Sequence, residues 1–278
     1  MRLSVHYTTA YHYSEPPRRI IQLLRVMPTS FAGQTVLDWR VNVDCDARLR
    51  MGRDGYGNVT HMLYVDRPAE SLAVSVEGLV LTEDRAGLIQ GLPHELPPPV
   101  FMRPTPLTQP GPAVERLAGE TLLSADVTLE RLHALAAELH QTIRFDTEAT
   151  GIDTSAEQAF SAGHGVCQDF AHIFIAVSRR LGIPARYVSG HLFRRDGQLV
   201  QEAGHAWAEA WIDDLGWTAF DPLNGICTDD AYVRVACGLD YRDAAPVSGA
   251  RSGGGEEELK VKVRVSEAAR QAQAQSQA

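Results

Sequence analysis

A proline-rich stretch divides this chain of 278 residues into two parts of different character. Eight prolines lie within residues 86–112, at positions 93, 97, 98, 99, 104, 106, 110 and 112. Proline lacks a backbone N–H and has a fixed φ, so these residues disfavour both a helix interior and a central strand. The stretch predicts a semi-rigid, extended linker, with the wall of a substrate groove as the less favoured interpretation.

The part before the linker has the pattern of β-strands. Polar and apolar residues alternate over residues 2–13, and further strand-like runs follow at 20–27, 36–45, 59–65 and 72–81. Residues 53–58 have turn chemistry, because they include glycines and an asparagine that can adopt positive φ. Short strands without a helical period predict an antiparallel β-sandwich or barrel over residues 1–85.

The part after the linker mixes helices with strands and is predicted to form a second domain over residues 113–266. One amphipathic helix is indicated by leucine and isoleucine residues at a 3.6-residue period over 129–143. A second apolar stripe starts at Cys167, and Gly182 and Pro184 end it. Because this second helix is apolar on most sides, we expect it to be central and buried.

The predicted fold class is therefore α+β, with an N-terminal antiparallel β-sandwich or barrel followed by a central helix packed on an antiparallel sheet. Strand-like runs after the helix lie at 185–189, 205–212, 217–221 and 259–265. Residues 267–278 are rich in alanine, glutamine and serine and have no core to bury, so we expect a disordered tail.

Composition and simple motifs disfavour several classes of binding partner and cofactor. The net charge of −9 disfavours nucleic acid, which would require a basic face, and no apolar run is long enough to predict a membrane span. The first residues alternate like a strand and do not resemble a signal peptide, so we expect a cytoplasmic protein. The four cysteines share no C-x-x-C spacing, and no calcium-loop pattern is present. We therefore predict no cofactor and no metal.

The stretch from Gly163 to Phe170 carries the strongest chemical signal. Gly163 and Gly165 precede Cys167, which stands at the predicted start of the central helix. The positive end of the helix dipole stabilises a thiolate there, and glycine allows a backbone or substrate to approach closely. A buried, inert cysteine is the common alternative. On local sequence alone, the two interpretations are about equally favoured.

A histidine and an aspartate follow in the order of a general base and the residue that orients it. His205 and Asp221 flank a turn at residues 213–216. With a three-residue loop at 213–215, the two side chains are diagonal neighbours on one face of a hairpin. Loops of two or four residues place them on opposite faces. The triad thus predicts an odd-numbered loop with Gly216 in the left-handed conformation, or a bulge near Gly204.

Several neighbouring residues are given structural interpretations. Asp169 suits the first turn of the helix, and His172 suits packing or hydrogen bonding. Residues 154–157 are predicted to form a capping box that starts a short helix, with Gly163 ending it. Glu202 and Glu209 could contact an amine acceptor, and solvated strand positions are the alternative.

Four blocks of sequence, in this order and spacing, resemble the bacterial transglutaminase-like superfamily. They are Gly-x-Gly-Val-Cys-Gln-Asp-Phe-Ala-His at 163–172, Leu-Gly-Ile-Pro-Ala-Arg-Tyr-Val-Ser-Gly at 181–190, Gly-His-Ala-Trp-Ala-Glu-Ala-Trp at 204–211 and Gly-Trp-Thr-Ala-Phe-Asp-Pro-Leu-Asn-Gly at 216–225. Residues 6–13, 24–28 and 56–58 are similar to the β-domain that precedes this core in one bacterial branch, and 238–246 to its C-terminal segment. The chain departs from that pattern at Leu239, where an arginine is expected, and at Ala231-Tyr232, where a histidine is expected.

This resemblance implies a papain-like core, with Cys167 as nucleophile, His205 as base and Asp221 as orienting residue. The substrate implied is a protein or peptide, whose amide carbonyl would form an acyl-enzyme. Water as acceptor would give a peptidase or amidase, and an amine would give a transglutaminase. The Cys167 backbone N–H is the natural oxyanion donor, and the sequence assigns no second one. A non-catalytic scaffold protein that keeps the fold is a further alternative, although such a protein usually lacks one of the three residues.

Overall fold

The computed structural model describes residues 1–148 and 150–268, so most of the predicted tail at 267–278 lies outside the described residues. The strands are β1 (Arg2–Tyr13), β2 (Arg19–Met27), β3 (Gln34–Val43), β4 (Arg48–Arg53), β5 (Val59–Val65), β6 (Ser71–Thr82), β7 (Leu88–Ile89), β8 (Arg144–Phe145), β9 (His164–Gly165), β10 (Ala185–Leu192), β11 (Val200–Gln201), β12 (His205–Ile212), β13 (Gly216–Asp221), β14 (Ile226–Cys227), β15 (Tyr232–Gly238), β16 (Val247–Ser252) and β17 (Glu257–Glu267). The helices are α1 (Pro112–Ser124), α2 (Thr128–Thr142), α3 (Ala156–Ala162), α4 (Cys167–Arg180) and α5 (Tyr241–Ala244), with a 3₁₀ helix at Pro98–Met102.

Two antiparallel sheets form the N-terminal β-domain. One has the strand order β11-β17-β1-β6-β3 and the other β16-β2-β5-β4. Alternate residues of the strands face inward, and Leu3, Leu24, Leu63 and Val74 from four different strands are fully buried in one apolar core. This alternation is what the period-2 pattern requires of a sheet with one covered face. The antiparallel β-sandwich predicted from the sequence is confirmed.

The C-terminal domain is organised around α4. Its residues Phe170 and Phe174 are buried, and they share an apolar core with α1, α2, α3 and the third sheet. That sheet has the order β14-β13-β12-β10-β15, and β7 pairs with β13. The β12 alanines at 206, 208 and 210 belong to the same core. Their small side chains let the helix approach the sheet closely, which confirms the predicted central, buried helix on an antiparallel sheet.

The short helix before Cys167 shows a shift of one residue from the predicted capping box. Ser155 is the N-cap, and its backbone N–H donates to Gln158 Oε1 at 2.9 Å. Glu157 instead accepts hydrogen bonds from the backbone N–H groups of Ala113 (2.9 Å) and Val114 (3.0 Å) at the start of α1. Gly163 ends α3 with φ of +70°, as predicted.

The proline-rich segment packs against the C-terminal domain. Leu88 and Ile89 pair with Thr218 and Trp217, which adds a short strand to the third sheet. The 3₁₀ helix buries Phe101, whose ring meets Trp217 edge-on at a centroid distance of 5.2 Å. Proline is compatible with this short helix because the first turn has no partners for its N–H groups. The segment is thus seated on the protein surface over much of its length.

The last two strands of the chain belong to the sheets of the N-terminal domain. The sequence instead places them in a second domain that spans residues 113–266. Strand β16 pairs with β2, and β17 pairs with β1 over eleven residues from Leu3↔Glu267 to Tyr13↔Glu257. Sequence alternation over 259–265 predicts a strand, but it does not tell which sheet receives that strand. The two domains are therefore joined by strand pairing as well as by the proline-rich segment.

Candidate active site

Cys167 is the first residue of α4 and is half-buried. Asp169 supports this helix start, because its Oδ2 accepts a hydrogen bond from the Val166 backbone N–H at 2.8 Å and from Thr150 Oγ1 at 2.6 Å. A Cβ atom at Gly165 would lie 2.7 Å from Asp169 Oδ2 and 2.8 Å from its Cβ. Glycine at 165 is therefore needed for Asp169 to cap the helix that carries the thiol. The structural role predicted for Asp169 is confirmed.

The turn between β12 and β13 has the length that the triad requires. Ile212 pairs with Gly216 and the regular register continues to Ala208 and Phe220, so the loop consists of residues 213–215. Gly216 has φ of +87°, as predicted. Continued by one residue, this register sets Asp221 opposite Trp207 and makes it the diagonal neighbour of His205. The predicted three-residue loop is confirmed, and the pairing of β12 with β13 needs no bulge.

The structure brings His205 and Asp221 into direct contact. His205 Nε2 lies 2.6 Å from Asp221 Oδ2, and both side chains are buried, with 8% and 0% of their surface exposed. The other ring nitrogen, Nδ1, is not used by Asp221, and Cys167 is close enough to this ring to raise the pKa of His205. Thiol, imidazole and carboxylate thus stand in the order of a nucleophile, its base and the base's orienting residue.

The surroundings of His205 favour the charged imidazolium. Burial alone would lower the pKa of His205, but the adjacent Asp221 carboxylate and the Cys167 thiolate raise it to about 10. Burial also opposes ionisation of Asp221, yet the charge and hydrogen bond of His205 keep the pKa of Asp221 below its usual range. The site therefore holds a negative carboxylate and a positive imidazole together at neutral pH.

Asp221 is surrounded by hydrogen-bond donors besides His205. Asn224 Nδ2 and Tyr232 Oη donate to Oδ2, at 2.6 Å and 2.7 Å. The backbone N–H groups of Leu223 and Asn224 donate to Oδ1, at 3.0 Å and 3.2 Å. A buried carboxylate needs this number of donors to stay ionised. The carboxylate is consequently fixed in position as well as in charge.

The sequence assigns no role to Asn224 or Tyr232, although Ala231-Tyr232 stands out as a departure from the family pattern. Asn224 follows Asp221 by three residues in an Asp-Pro-Leu-Asn-Gly turn, and this spacing is a signal that could have identified it. Tyr232 belongs to β15, which pairs with β10 and not with β13. Its place beside Asp221 depends on the strand order of the sheet, and no local pattern in the sequence encodes that order.

Glu209 corrects both interpretations drawn from the sequence. It is fully buried, so it is neither solvated nor open to an amine. Arg186 Nε donates to its Oε2 at 2.5 Å, and Arg234 Nε donates to its Oε1 at 2.7 Å. The Arg186 guanidinium also lies over the Trp217 ring, 3.8 Å from its centroid. These residues form a buried ionic cluster on the sheet face opposite α4.

His172, on the central helix, has a structural partner. His172 is fully buried, and its Nε2 accepts a hydrogen bond from the Tyr241 backbone N–H at 3.1 Å. Desolvation and the Arg179 charge lower the pKa of His172 to about 3, so this histidine is neutral. Within residues 1–148 and 150–268, no three His, Cys, Asp or Glu side chains are grouped as a metal site. No helix in those residues combines the length and apolar character needed to cross a membrane.

Comparison with known proteins agrees with this architecture. Residues 115–222 match the transglutaminase-like superfamily, and residues 3–81 match the bacterial transglutaminase-like N-terminal region. An uncharacterized protein of Mycobacterium leprae is 31% identical, over 95% of this chain and 98% of its own length. The chain therefore belongs to the transglutaminase-like superfamily.

Two further relatives carry functional names. The crystal structure of a candidate cysteine protease from Cytophaga hutchinsonii has a TM-score of 0.77 at 22% identity, and the match covers 96% of this chain and 90% of that one. A protein-glutamine gamma-glutamyltransferase of Pseudomonas aeruginosa is 31% identical over 102 residues, which are 33% of this chain and 14% of that protein. The first of these matches establishes a shared fold across both domains.

Proposed function

We propose that this protein is a cysteine-dependent hydrolase of amide bonds in protein or peptide substrates. The observation that carries the proposal is the 2.6 Å contact between His205 Nε2 and Asp221 Oδ2, in a site where Cys167, the first residue of α4, helps to raise the pKa of the same imidazole. A non-catalytic scaffold would have no need for a buried ion pair directed at a thiol. The names of two relatives, a candidate cysteine protease and a protein-glutamine gamma-glutamyltransferase, support an enzyme.

The chemistry begins with the charged pair. The Cys167 thiolate attacks the amide carbonyl carbon, and the carbonyl electron pair moves to the oxygen. The backbone N–H at the start of α4 is directed along the helix axis and is available to stabilise that oxyanion. As the oxyanion collapses, the C–N bond breaks and the His205 imidazolium gives its proton to the departing amine.

The second half of the cycle uses the same groups. The neutral His205 accepts a proton from a water molecule, whose oxygen attacks the thioester carbonyl. The C–S bond then breaks, which releases a carboxylic acid and restores the thiolate and imidazolium. Asp221 keeps the imidazole in one orientation and stabilises its charged form throughout, without exchanging a proton itself.

The burial of Glu209 removes one candidate site for an amine acceptor, which supports hydrolysis. A transferase must hold an amine close to the thioester against the much larger concentration of water. Glu202 and Glu209 are the two carboxylates that the sequence offers to an amine, and the ion pairs of Glu209 with Arg186 and Arg234 remove Glu209 from that role. Water is then the acceptor that needs no dedicated site.

Acyl transfer from a glutamine side chain is the second candidate. It is supported by the similarity of 102 residues to a protein named a protein-glutamine gamma-glutamyltransferase. The same three residues would act, and an amine would replace water in the second half of the cycle.

Mass spectrometry of the reaction separates these outcomes. The protein is incubated with a peptide library rich in glutamine, with and without a primary amine, and Cys167→Ala is the control. We expect a covalent acyl adduct on Cys167, and shorter or deamidated peptides that the variant does not produce. Amine-linked peptides would instead establish the transferase. Products formed equally by Cys167→Ala would contradict a thiol enzyme.

A further inference from the structure

The N-terminal β-domain contacts the strand that delivers Tyr232 to the triad. Tyr232 is the first residue of β15, the outermost strand on one side of the third sheet. On one side of it, Thr82 Oγ1 of the N-terminal domain donates a hydrogen bond to the Asp230 backbone oxygen. On the other side, Val233 is fully buried in the core of the N-terminal sandwich. The tyrosine thus lies between two points that are fixed by the other domain.

Gln34 supplies the strongest of these contacts. Its side chain is buried and pairs with the backbone of Arg234 in both directions. Gln34 Nε2 donates to the Arg234 carbonyl oxygen at 2.9 Å, and the Arg234 N–H donates to Gln34 Oε1 at 2.8 Å. This arrangement copies the pairing of a neighbouring strand at the outer edge of the third sheet. It holds β15 two residues beyond Tyr232.

Tyr232 connects this strand to the active site through a hydrogen bond to Asp221. Its hydroxyl donates to Asp221 Oδ2 at 2.7 Å, the same oxygen that contacts His205 Nε2. Its ring meets Trp207 edge-on at a centroid distance of 5.4 Å, which leaves the hydroxyl directed at the carboxylate. A small cavity lined by Gln34, Trp207, Tyr232 and Arg234 lies beside this end of the strand.

We propose that Tyr232 is a positioning residue for the Asp221–His205 pair and that the N-terminal β-domain holds it in place through Gln34. This inference rests on the proposed function of Cys167, His205 and Asp221. It gives the N-terminal domain a role in catalysis that does not require it to touch the substrate. The ionisable groups that face Asp221 are His205 and Tyr232, with Cys167 beyond His205 and Asp229 beside Tyr232.

The rate at which iodoacetamide alkylates Cys167, measured against pH by peptide mass spectrometry, tests the proposal without a known substrate. Tyr232→Phe removes only the hydroxyl. Because one donor to the Asp221 carboxylate is lost, we expect the acid limb of the rate profile to move to higher pH. The rate near pH 6 should fall by about tenfold, the effect of roughly one hydrogen bond to a charged group.

Gln34→Met tests the link to the N-terminal domain, since methionine keeps the length of the side chain but forms neither hydrogen bond. We expect a shift in the same direction as for Tyr232→Phe, and a double variant that is no slower than Tyr232→Phe alone. Asn58→Leu is the matched control. Asn58 also pairs with the β15 backbone in both directions, at Cys237, but at the end of the strand farther from Tyr232. It should lower stability and leave the pH profile unchanged.

Each outcome is decisive. A wild-type pH profile in Tyr232→Phe would overturn the positioning role. A shifted Tyr232→Phe profile with an unshifted Gln34→Met profile, or an equal shift in Asn58→Leu, would overturn the role of Gln34. Should Gln34→Met fail to fold, Gln34→Asn, whose shorter amide cannot reach both backbone groups, replaces it. If Cys167 of the wild type reacts no faster than Cys45, the proposed function and this inference both fail. If Cys167 reacts faster but the variants do not shift its pH profile, only this inference fails.

Discussion

The protonated form of His205 is stabilised by neighbouring side chains and not by water. It is buried, so water contributes little, and the Asp221 carboxylate and the Cys167 thiolate together outweigh the cost of desolvation. A histidine in this setting is protonated when the thiol is ionised, which is the state that the first step of the proposed reaction uses. The same coupling links the active site to the stability of the fold.

The raised pKa of His205 predicts a definite pH dependence of stability. The folded state binds this proton more tightly than the unfolded chain, where a histidine has a pKa of about 6.5. The contribution is complete below that pH and is lost as the pH rises through the folded-state pKa of about 10. Between pH 7 and pH 10 the melting temperature should therefore fall more in the wild type than in His205→Gln. Parallel curves for the two proteins would contradict the assigned ion pair.

Gly165→Ala tests the support of the helix start. Its Cβ would overlap with Asp169, which caps the backbone N–H of Val166, so we expect lower stability and slower alkylation of Cys167. Gly119→Ala in α1 is the matched control, because a Cβ there meets no atom within 4 Å. Alanine in a helix interior should raise the free energy of unfolding by roughly 0.5–1 kcal/mol. Thermal unfolding and alkylation of both variants provide the comparison, and a Gly165→Ala protein that matches Gly119→Ala in both would exclude the collision.

At the scale of elements, the hairpin of β12 and β13 carries two residues of the site, His205 and Asp221. Its geometry could be predicted from sequence, because the loop length alone decides whether His205 and Asp221 share a face. The helix start at Cys167 could also be predicted from its glycines and apolar stripe. These features depend on residues that are close together in the chain.

Other parts of the site depend on residues from distant strands, and sequence patterns do not encode them. Glu209 looks like a solvated strand residue until Arg186 from β10 and Arg234 from β15 are placed beside it. Tyr232 reaches Asp221 only because β15 lies next to β10 in the sheet order. The partners of such side chains are decided by topology, which the alternation of residues within one strand leaves open.

The buried ionic cluster on the sheet should be costly to break. Glu209→Gln leaves two buried guanidinium groups without their shared carboxylate, and we expect a loss of roughly 3–5 kcal/mol in the free energy of unfolding. Glu77→Gln is the control, since Glu77 pairs with His6 on the surface, and it should change stability by at most about 1 kcal/mol. Urea denaturation of the two variants measures both values. Equal, small losses would show that the cluster is solvated.

At the scale of the molecule, the two domains are interlocked. Strands β16 and β17 complete the N-terminal sheets, and Gln34 and Asn58 complete the outer edge of β15. The sequence indicates the two domains by their different patterns, but it contains no local signal for strands that return across the domain boundary. The proline-rich segment, packed beside Trp217, adds a third connection.

Interlocked domains should unfold together. Three of the four tryptophans, at positions 207, 211 and 217, lie in the C-terminal domain, so tryptophan fluorescence reports mainly on that domain. Far-ultraviolet circular dichroism reports on both domains. We expect coincident thermal transitions by the two methods, as cooperative unfolding requires. Two separate midpoints would contradict the interlocked arrangement.

Site-resolved alkylation near pH 6 tests the central claim most directly. Cys45 is half-buried like Cys167, and burial raises the pKa of Cys45, so it is the reference thiol. We expect iodoacetamide to label Cys167 well before Cys45, and we expect His205→Gln to abolish that advantage, because the imidazolium that stabilises the thiolate is lost. Equal labelling of the two thiols, or fast labelling of Cys167 that survives His205→Gln, would contradict a catalytic Cys167–His205–Asp221 triad.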